Sequence, residues 1–440
     1  MNLTIFSVQQ LWPLTILVGV AVIIPILLSI FKIKFIPSLV IEIIMGIILS
    51  IIPLTRNIFS TSEGSVTTLS TLPEGLYILG MSILLFMSGF DTDFSVFKRR
   101  KKDEPKYLNV LLCSLIIYIL VVGLSIGGAY LLKDYVKGNQ IIGIAIIAVF
   151  FSSTFASLVI PLVHNYDLKD TSLGKIISTY STISEFCSII ALSVIMLLLG
   201  VSKDPSYIAV IAIVCVYILI FIVKKFIKVD KIFGKRLEGI VHLSTRITVF
   251  VLLLAILLSD LGGVEYILGA FLSGMIIRLL WEDHHANKLE SIGYGLFVPL
   301  FYILVGFKVG LLVMHTGTAN FFSLNTLLLF IVILSMMFIV RIPFLYLLRY
   351  YKVKTVVSSL LVTTATIIVS LAIEHISAET LLLDERIVTI FIIASIISCV
   401  IPPILFGNSD DFSEARLKHK DYIIELSDFE LEKVEVENEK

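Results

Sequence analysis

Apolar runs of about 20 residues recur from one end of this sequence to the other, parted by short polar loops. An α-helix crosses the hydrocarbon core of a bilayer in about that length. No water is available there to satisfy a free backbone N–H or C=O, so a spanning segment must be helical or part of a closed barrel. These runs are too long and too evenly apolar for barrel strands, which alternate. The pattern predicts an all-α polytopic membrane protein. A composition of 58% hydrophobic and 15% charged residues agrees, since soluble domains hold about half apolar and a quarter charged residues.

Hydropathy windows place about 13 spans, near 10–31, 35–53, 75–93, 107–132, 140–163, 174–199, 206–224, 240–259, 263–281, 292–314, 325–350, 355–374 and 384–406. Residues 1–406 then form one transmembrane domain, followed by a short acidic tail, 407–440. With the N-terminus outside, the loops facing the cytoplasm hold about 21 Lys and Arg and the opposite loops about 5. Basic loops stay on the cytoplasmic side, so this asymmetry predicts N-terminus out and C-terminus in, with an odd number of spans. The first run has no basic segment before it, and Lys32 and Lys34 follow it, so it reads as a span and not as a signal peptide.

Several chemistries are excluded. The four cysteines, Cys113, Cys187, Cys215 and Cys399, all fall in apolar runs without CxxC spacing, so neither a disulfide framework nor a zinc site is supported. The sequence has no HExxH, no GxSxG and no phosphate-cradling P-loop. It carries no enzyme or cofactor signature, and the missing P-loop argues against direct drive by ATP. The net charge of zero by itself says nothing about partners, and no nucleic-acid partner is expected. A gradient-driven carrier, a channel and a non-transporting sensor remain.

The chain also repeats. "IEIIMGIIL" (41–49) parallels "AFLSGMIIR" (270–278), "LLFMSGFDTDF" (84–94) parallels "LFYILVGFKVG" (300–310), and "FSSTFASLVI" (151–160) parallels "VTTATIIVSLAI" (362–373). The order is the same in both halves. One repeat then covers about 10–199 and the other about 240–406, joined by a connector span near 206–224. Six spans plus one connector invert the second half relative to the first.

Polar residues inside the apolar runs are the candidates for chemistry. Glu185 sits near the middle of the run 174–199, in "STYSTISEFCSII", next to Ser184. A charge at that depth costs roughly 2.5–3.5 kcal/mol by insertion scales and marks a functional site by default; a structural ion pair is the plainer reading. One carboxylate can hold a proton or a cation, and the competition between them is the minimum equipment for exchange. Hydroxyls cluster mid-span in both repeats: Ser152, Ser153, Thr154 and Ser157 in one, Thr363, Thr364 and Thr366 in the other. Matched interrupted segments of this kind point to a midplane site, where hydroxyls and freed carbonyls replace a cation's water, although packing hydroxyls look the same. Arg341 lies mid-span ahead of the helix breaker Pro343 and needs a carboxylate or carbonyl partner, with Glu185 the most central acid. Glu42 reads as packing or hinge polarity before ion binding. Asp91 and Asp93 read as loop caps, Lys308 as a solvated span end, and the loop histidines His164, His284 and His285 as solvated.

Taken together, "IPSLVIEIIMGIILS", "LGMSILLFMSGFDTDF", "YILGAFLSGMII" and "VPLFYILVGFKVGL" resemble the monovalent cation:proton antiporters, in the group that includes sodium/proton antiporters and glutathione-gated potassium efflux proteins. The resemblance runs over about 10–406. It implies two broken crossing helices and a cation and proton site of Ser153, Thr154, Ser184 and Glu185, with Arg341 as charge partner. Relatives carry Asp-Asp, Asn-Asp or Gln-Asp where this chain has Ser184-Glu185, so one carboxylate is kept and one-for-one exchange is expected. It further implies a homodimer in the plasma (inner) membrane, H+ and Na+ or K+ as the ions, and a core of spans 4–6 and 11–13 moving against a scaffold. The tail lacks the Gly-rich loop of the nucleotide-binding domain found in longer members, so gating by nucleotide is not expected.

Overall fold

A computed structural model of the chain describes residues 11–31, 38–63, 66–90, 110–165, 172–199, 243–261, 266–280, 291–316, 323–344 and 366–407. The expected connector span, the two aspartates of "GFDTDF", Thr363, Thr364, His284, His285 and the acidic tail lie outside the described residues. Among those described, six helices are long and apolar enough to cross a bilayer, and one pair of helices, bent by 100°, would make a seventh span.

That pair is α2 (Ser38–Ile51) and α3 (Pro53–Phe59), which follow α1 (Trp12–Ile30). Ile52 is extended and Pro53 has no N–H to continue the ladder, so the chain turns there. A two-stranded hairpin, β1 (Ser60–Glu63) with β2 (Val66–Leu69), then leads into α4 (Thr71–Phe90). The all-helical expectation missed this hairpin, whose polar strands carry no apolar periodicity.

The remaining helices are α5 (Val110–Leu131), α6 (Gln140–Ser152), α7 (Ala156–Asn165), α8 (Ser172–Leu199), α9 (Leu243–Leu261), α10 (Tyr266–Leu280), α11 (Val298–Thr316), α12 (Leu324–Ile339), α13 (Ile367–Thr380) and α14 (Glu385–Gly407). They pack in two groups. In one, α2 lies against α11 and α4 against α10, with α1 and α9 outside. In the other, α5 to α8 pack together with α13, and α13 lies on α14.

Glycine makes both crossings of the first group. A Cβ on Gly46 of α2 would overlap the Ile303 carbonyl of α11, and one on Gly306 would overlap that of Ile43. A Cβ on Gly89 of α4 would overlap the Phe271 carbonyl of α10, and one on Gly274 that of Phe86. Backbone touches backbone at each, which is how helices associate where lipid removes the hydrophobic drive. The four glycines come from two of the three matched sequence pairs. In the second group Phe150 stacks on Phe391 at 4.0 Å, and both are fully buried. Large apolar side chains face outward on α1, α5 and α12, among them Ile23, Ile119 and Leu327. An outer face of that kind suits lipid.

The end of α13 meets the loop before α6. Leu381 adopts a left-handed conformation, φ 50°, that turns the chain sharply. Val136 then bridges Leu383, the Lys137 N–H donates to the Leu382 carbonyl at 2.8 Å, and the Asp384 N–H donates to Tyr135 at 3.0 Å. The two halves of the second group are thereby tied at one end.

Candidate ion-binding site

The site begins with a broken helix. α6 stops at Ser152, Ser153 is extended with ψ 144°, and α7 restarts at Ala156. The run "FFSST" favours a break because its hydroxyls bond back to the helix. Ser152 Oγ donates to the Val149 carbonyl at 3.2 Å and Ser153 Oγ to Phe150 at 2.9 Å. The negative end of the α6 dipole and the positive end of the α7 dipole therefore face each other inside the protein. Ser152, Ser153 and Thr154 are all buried.

Arg341 meets this break. α12 ends at Ile339, the chain turns at Val340 and Arg341, and one helical turn reaches Phe344. The guanidinium donates through Nη1 to the Ser152 carbonyl at 3.0 Å and through Nη2 to the Ser153 carbonyl. It is 3% exposed. Its charge thus rests on the two carbonyls freed at the negative end of α6, where a planar two-pronged donor fits. Of the partners weighed from sequence, two carbonyl oxygens accept its hydrogen bonds. The buried Tyr180 ring lies 4.7 Å from that of Phe344, and its hydroxyl is within electrostatic reach of Arg341.

α8 brings the acid. Ser181, Ser184, Glu185 and Ser188 fall at helical spacing, and all are fully buried. Ser184 Oγ donates to the Ser152 carbonyl at 2.6 Å and lies 3.2 Å from Thr154 Oγ1. Glu185 Oε2 accepts a hydrogen bond from Ser88 Oγ of α4 at 2.8 Å. Ser88 belongs to the other helix group and was not singled out in the sequence, where it is one serine in an apolar run.

The counterpart in the second repeat is only partly in view. Thr366 stands at the N-terminus of α13 with extended backbone, fully buried, and its hydroxyl has no hydrogen-bond partner among the described residues. The helix it starts packs on both α6 and α8. Ser157 lies in the first turn of α7, and its side chain is outside the described set. Glu42 is 3% exposed on α2. Tyr302 of α11, also buried, is within electrostatic reach of both Glu42 and Glu185.

Lys308 corrects an expectation. α11 runs on to Thr316, so Lys308 lies two turns inside its helix and is not a solvated end. Its Nζ is 3.3 Å from Glu374 Oε2 of α13 and 5.0 Å from the centre of the Tyr77 ring of α4. Neither Glu374 nor this pairing was legible in the sequence.

Chemically, the arrangement is a buried carboxylate, neighbouring hydroxyl and carbonyl oxygens and a guanidinium fixed on two of those carbonyls. Such oxygens suit a hard monovalent cation. Comparison with known proteins agrees with that chemistry. The profile of the family described as "Sodium/hydrogen exchanger, transmembrane" matches residues 18–407. YjbQ of Bacillus subtilis (strain 168) is 27% identical over 403 residues, 89% of this chain, and the chain spans 62% of its length. "Probable Na(+)/H(+) antiporter 3" of Methanocaldococcus jannaschii is 27% identical over 404 residues, 89% of this chain and 94% of that one. The structure of the sodium proton antiporter MjNhaP1 from the same organism, at pH 8, shares the fold with a TM-score of 0.53 and 16% identity, over 93% of this chain and 98% of that one. The chain belongs to the transmembrane sodium/hydrogen exchanger family.

Proposed function

We propose that this protein is a secondary active antiporter that exchanges a monovalent cation, Na+ or K+, for H+ across the plasma membrane. Glu185 holds the proton and the cation in turn. The observation that carries this reading is the complete burial of Glu185 beside the break between α6 and α7. An ionised carboxylate sealed from water needs compensation, and either a proton or a cation supplies it. Binding of one therefore expels the other. Hydroxyls of Ser88, Ser184 and Thr154 replace part of the cation's water. Arg341 holds the α6 carbonyls and keeps a fixed positive charge near the site, so a bound cation is released again.

Alternating access follows from the two helix groups. The glycine crossings of α2 with α11 and α4 with α10 support a rigid scaffold, and its outer face is assigned to the homodimer. The group holding α5 to α8 and α12 to α14 moves against it as the core. The matched glycine pairs support an inverted repeat over about 10–199 and 240–406. The basic loops support an N-terminus outside and a C-terminus in the cytoplasm. The proton gradient then drives the cation out.

The test is Glu185→Gln in proteoliposomes, read as cation-dependent proton flux. Glutamine keeps the shape and loses the titrating oxygen. Loss of exchange in a protein that remains monodisperse is expected; exchange at the unsubstituted rate would sink the assignment.

A further inference from the structure

The ion pair Lys308–Glu374 joins the two helix groups, and the site just described does not use it. Lys308 stands on α11, two residues beyond the Gly306 crossing, and its ammonium lies against the Tyr77 ring of α4. It is thus held by two helices of the scaffold. Glu374 stands on α13, eight residues or about 12 Å of helix beyond Thr366, toward the end where Leu382 and Asp384 join the loop before α6. Ser88 meets Glu185 from α4; Lys308 meets Glu374 from α11.

We propose that Lys308 and Glu374 are gate residues of the exchange cycle, closing the path from Glu185 to the side of the membrane on which the Leu381–Asp384 loop lies. Three observations carry this. The pair spans the boundary across which the core must slide, so its 3.3 Å contact cannot survive that motion. Its side chains are only partly buried, 29% exposed for Lys308 and 17% for Glu374. An ion pair with that much access is weak enough to break and re-form in each cycle, whereas a fully buried pair is not. Its signs also suit the task. When the pair opens, Glu374 offers a carboxylate to a departing cation and Lys308 stays held on the Tyr77 ring. With the N-terminus outside, this gate faces the exterior.

The inference rests on the alternating-access reading, and its test separates the two. Lys308→Cys and Glu374→Cys are combined in a chain whose Cys113, Cys187, Cys215 and Cys399 are replaced by alanine. The pair is bridged with a short bifunctional thiosulfonate reagent and exchange is measured in proteoliposomes before and after reduction. The expected result is that bridging abolishes the exchange the double-cysteine variant shows beforehand and that reductant restores it to that level, which also shows that the protein stayed folded. Unchanged exchange in bridged protein overturns the gate, while the Glu185→Gln result stands by itself. A second measurement uses charge reversal. Lys308→Glu and Glu374→Lys should each slow exchange, and the double variant should restore it; a double variant slower than either single one overturns the pairing.

Discussion

Ser88 of α4 donates a hydrogen bond to Glu185 of α8 at 2.8 Å, from one helix group to the other. A hydrogen bond to an ionised acceptor is worth about 1.5–3 kcal/mol. Since 1.4 kcal/mol is a factor of ten, Ser88→Ala should slow exchange at subsaturating cation by about tenfold. Ser88→Thr keeps the hydroxyl and should recover most of the rate. Initial rates over a cation titration decide it, and equal rates for serine and alanine would remove Ser88 from the site.

Arg341 satisfies two carbonyls at once, so its replacements should rank by how many they can still reach. Lysine offers a compact point charge without the planar fork and should retain part of the activity. Glutamine loses the charge and leaves the negative end of α6 bare beside Glu185. Two lost charge-assisted bonds of about 1.5–3 kcal/mol each predict at least a hundredfold loss for Arg341→Gln. Exchange rates of the two variants in one vesicle preparation test the ranking.

Much of this site was legible because a charge stands out in an apolar run. Glu185, Arg341 and the serines of "FFSST" each break a pattern that the bilayer otherwise enforces, and the structure brings them together. What a side chain touches was less legible. Arg341 plainly needed an acceptor, yet carbonyls and a carboxylate serve equally well on paper, and only the path of α12 decides. Lys308 looked terminal because polar residues usually end a span, but its partner lies 66 positions away and pays its desolvation from another helix. Ser88 carried no signal at all, since a lone serine can satisfy itself within its own helix. The hairpin from Ser60 to Leu69 was missed for the opposite reason: its strands are too short and polar to show a period.

The glycine crossings predict a sharp contrast among glycine-to-alanine variants. At Gly46, Gly306, Gly89 and Gly274 the new methyl meets a backbone carbonyl that no rotamer change can move. Overpacking of this kind costs about 1–3 kcal/mol, and rigid backbone contacts fall at the high end. At Gly19, Gly123 and Gly127 a Cβ meets nothing within 4 Å. There alanine should be neutral, or stabilising by about 0.5–1 kcal/mol through helix propensity. Melting temperatures in detergent test both sets, and a tolerated Gly306→Ala would refute the tight crossing.

Asp384 joins two loops outside the spans. Burial alone would raise its carboxyl, but the Arg386 N–H, the Arg386 guanidinium and Lys137 outweigh that and hold it below the ordinary 3.8. A depressed acid stabilises the fold above its unfolded value and loses that contribution as pH falls through the folded one. Its effect should therefore be flat from pH 9 to 5 and fade below about 4. The two cations are more than half exposed, so the charges add little. The hydrogen bond from the Arg386 N–H to Oδ1 at 3.0 Å caps α14. Asp384→Ala should cost about 1–2 kcal/mol at pH 7, mostly from the cap, and Asp384→Asn clearly less. Thermal unfolding as a function of pH distinguishes them.

The last expectation concerns charge balance. Ser184 occupies the place beside Glu185, and its hydroxyl is committed to the Ser152 carbonyl at 2.6 Å. It cannot titrate. In the proposed cycle Glu185 carries one proton in one direction and one monovalent cation in the other, and the loaded site has the same net charge both ways. Exchange should be electroneutral. Vesicles can be clamped at different potentials with a K+ gradient and valinomycin while Na+ is the test cation. Moving one charge through 100 mV is worth about 2.3 kcal/mol, so an electrogenic cycle would change rate many-fold across that range. A rate indifferent to potential is expected. A rate accelerated by negative interior potential would require a second proton per turnover, and Glu42, buried on α2 with Tyr302 in reach of both acids, would be the residue to substitute next.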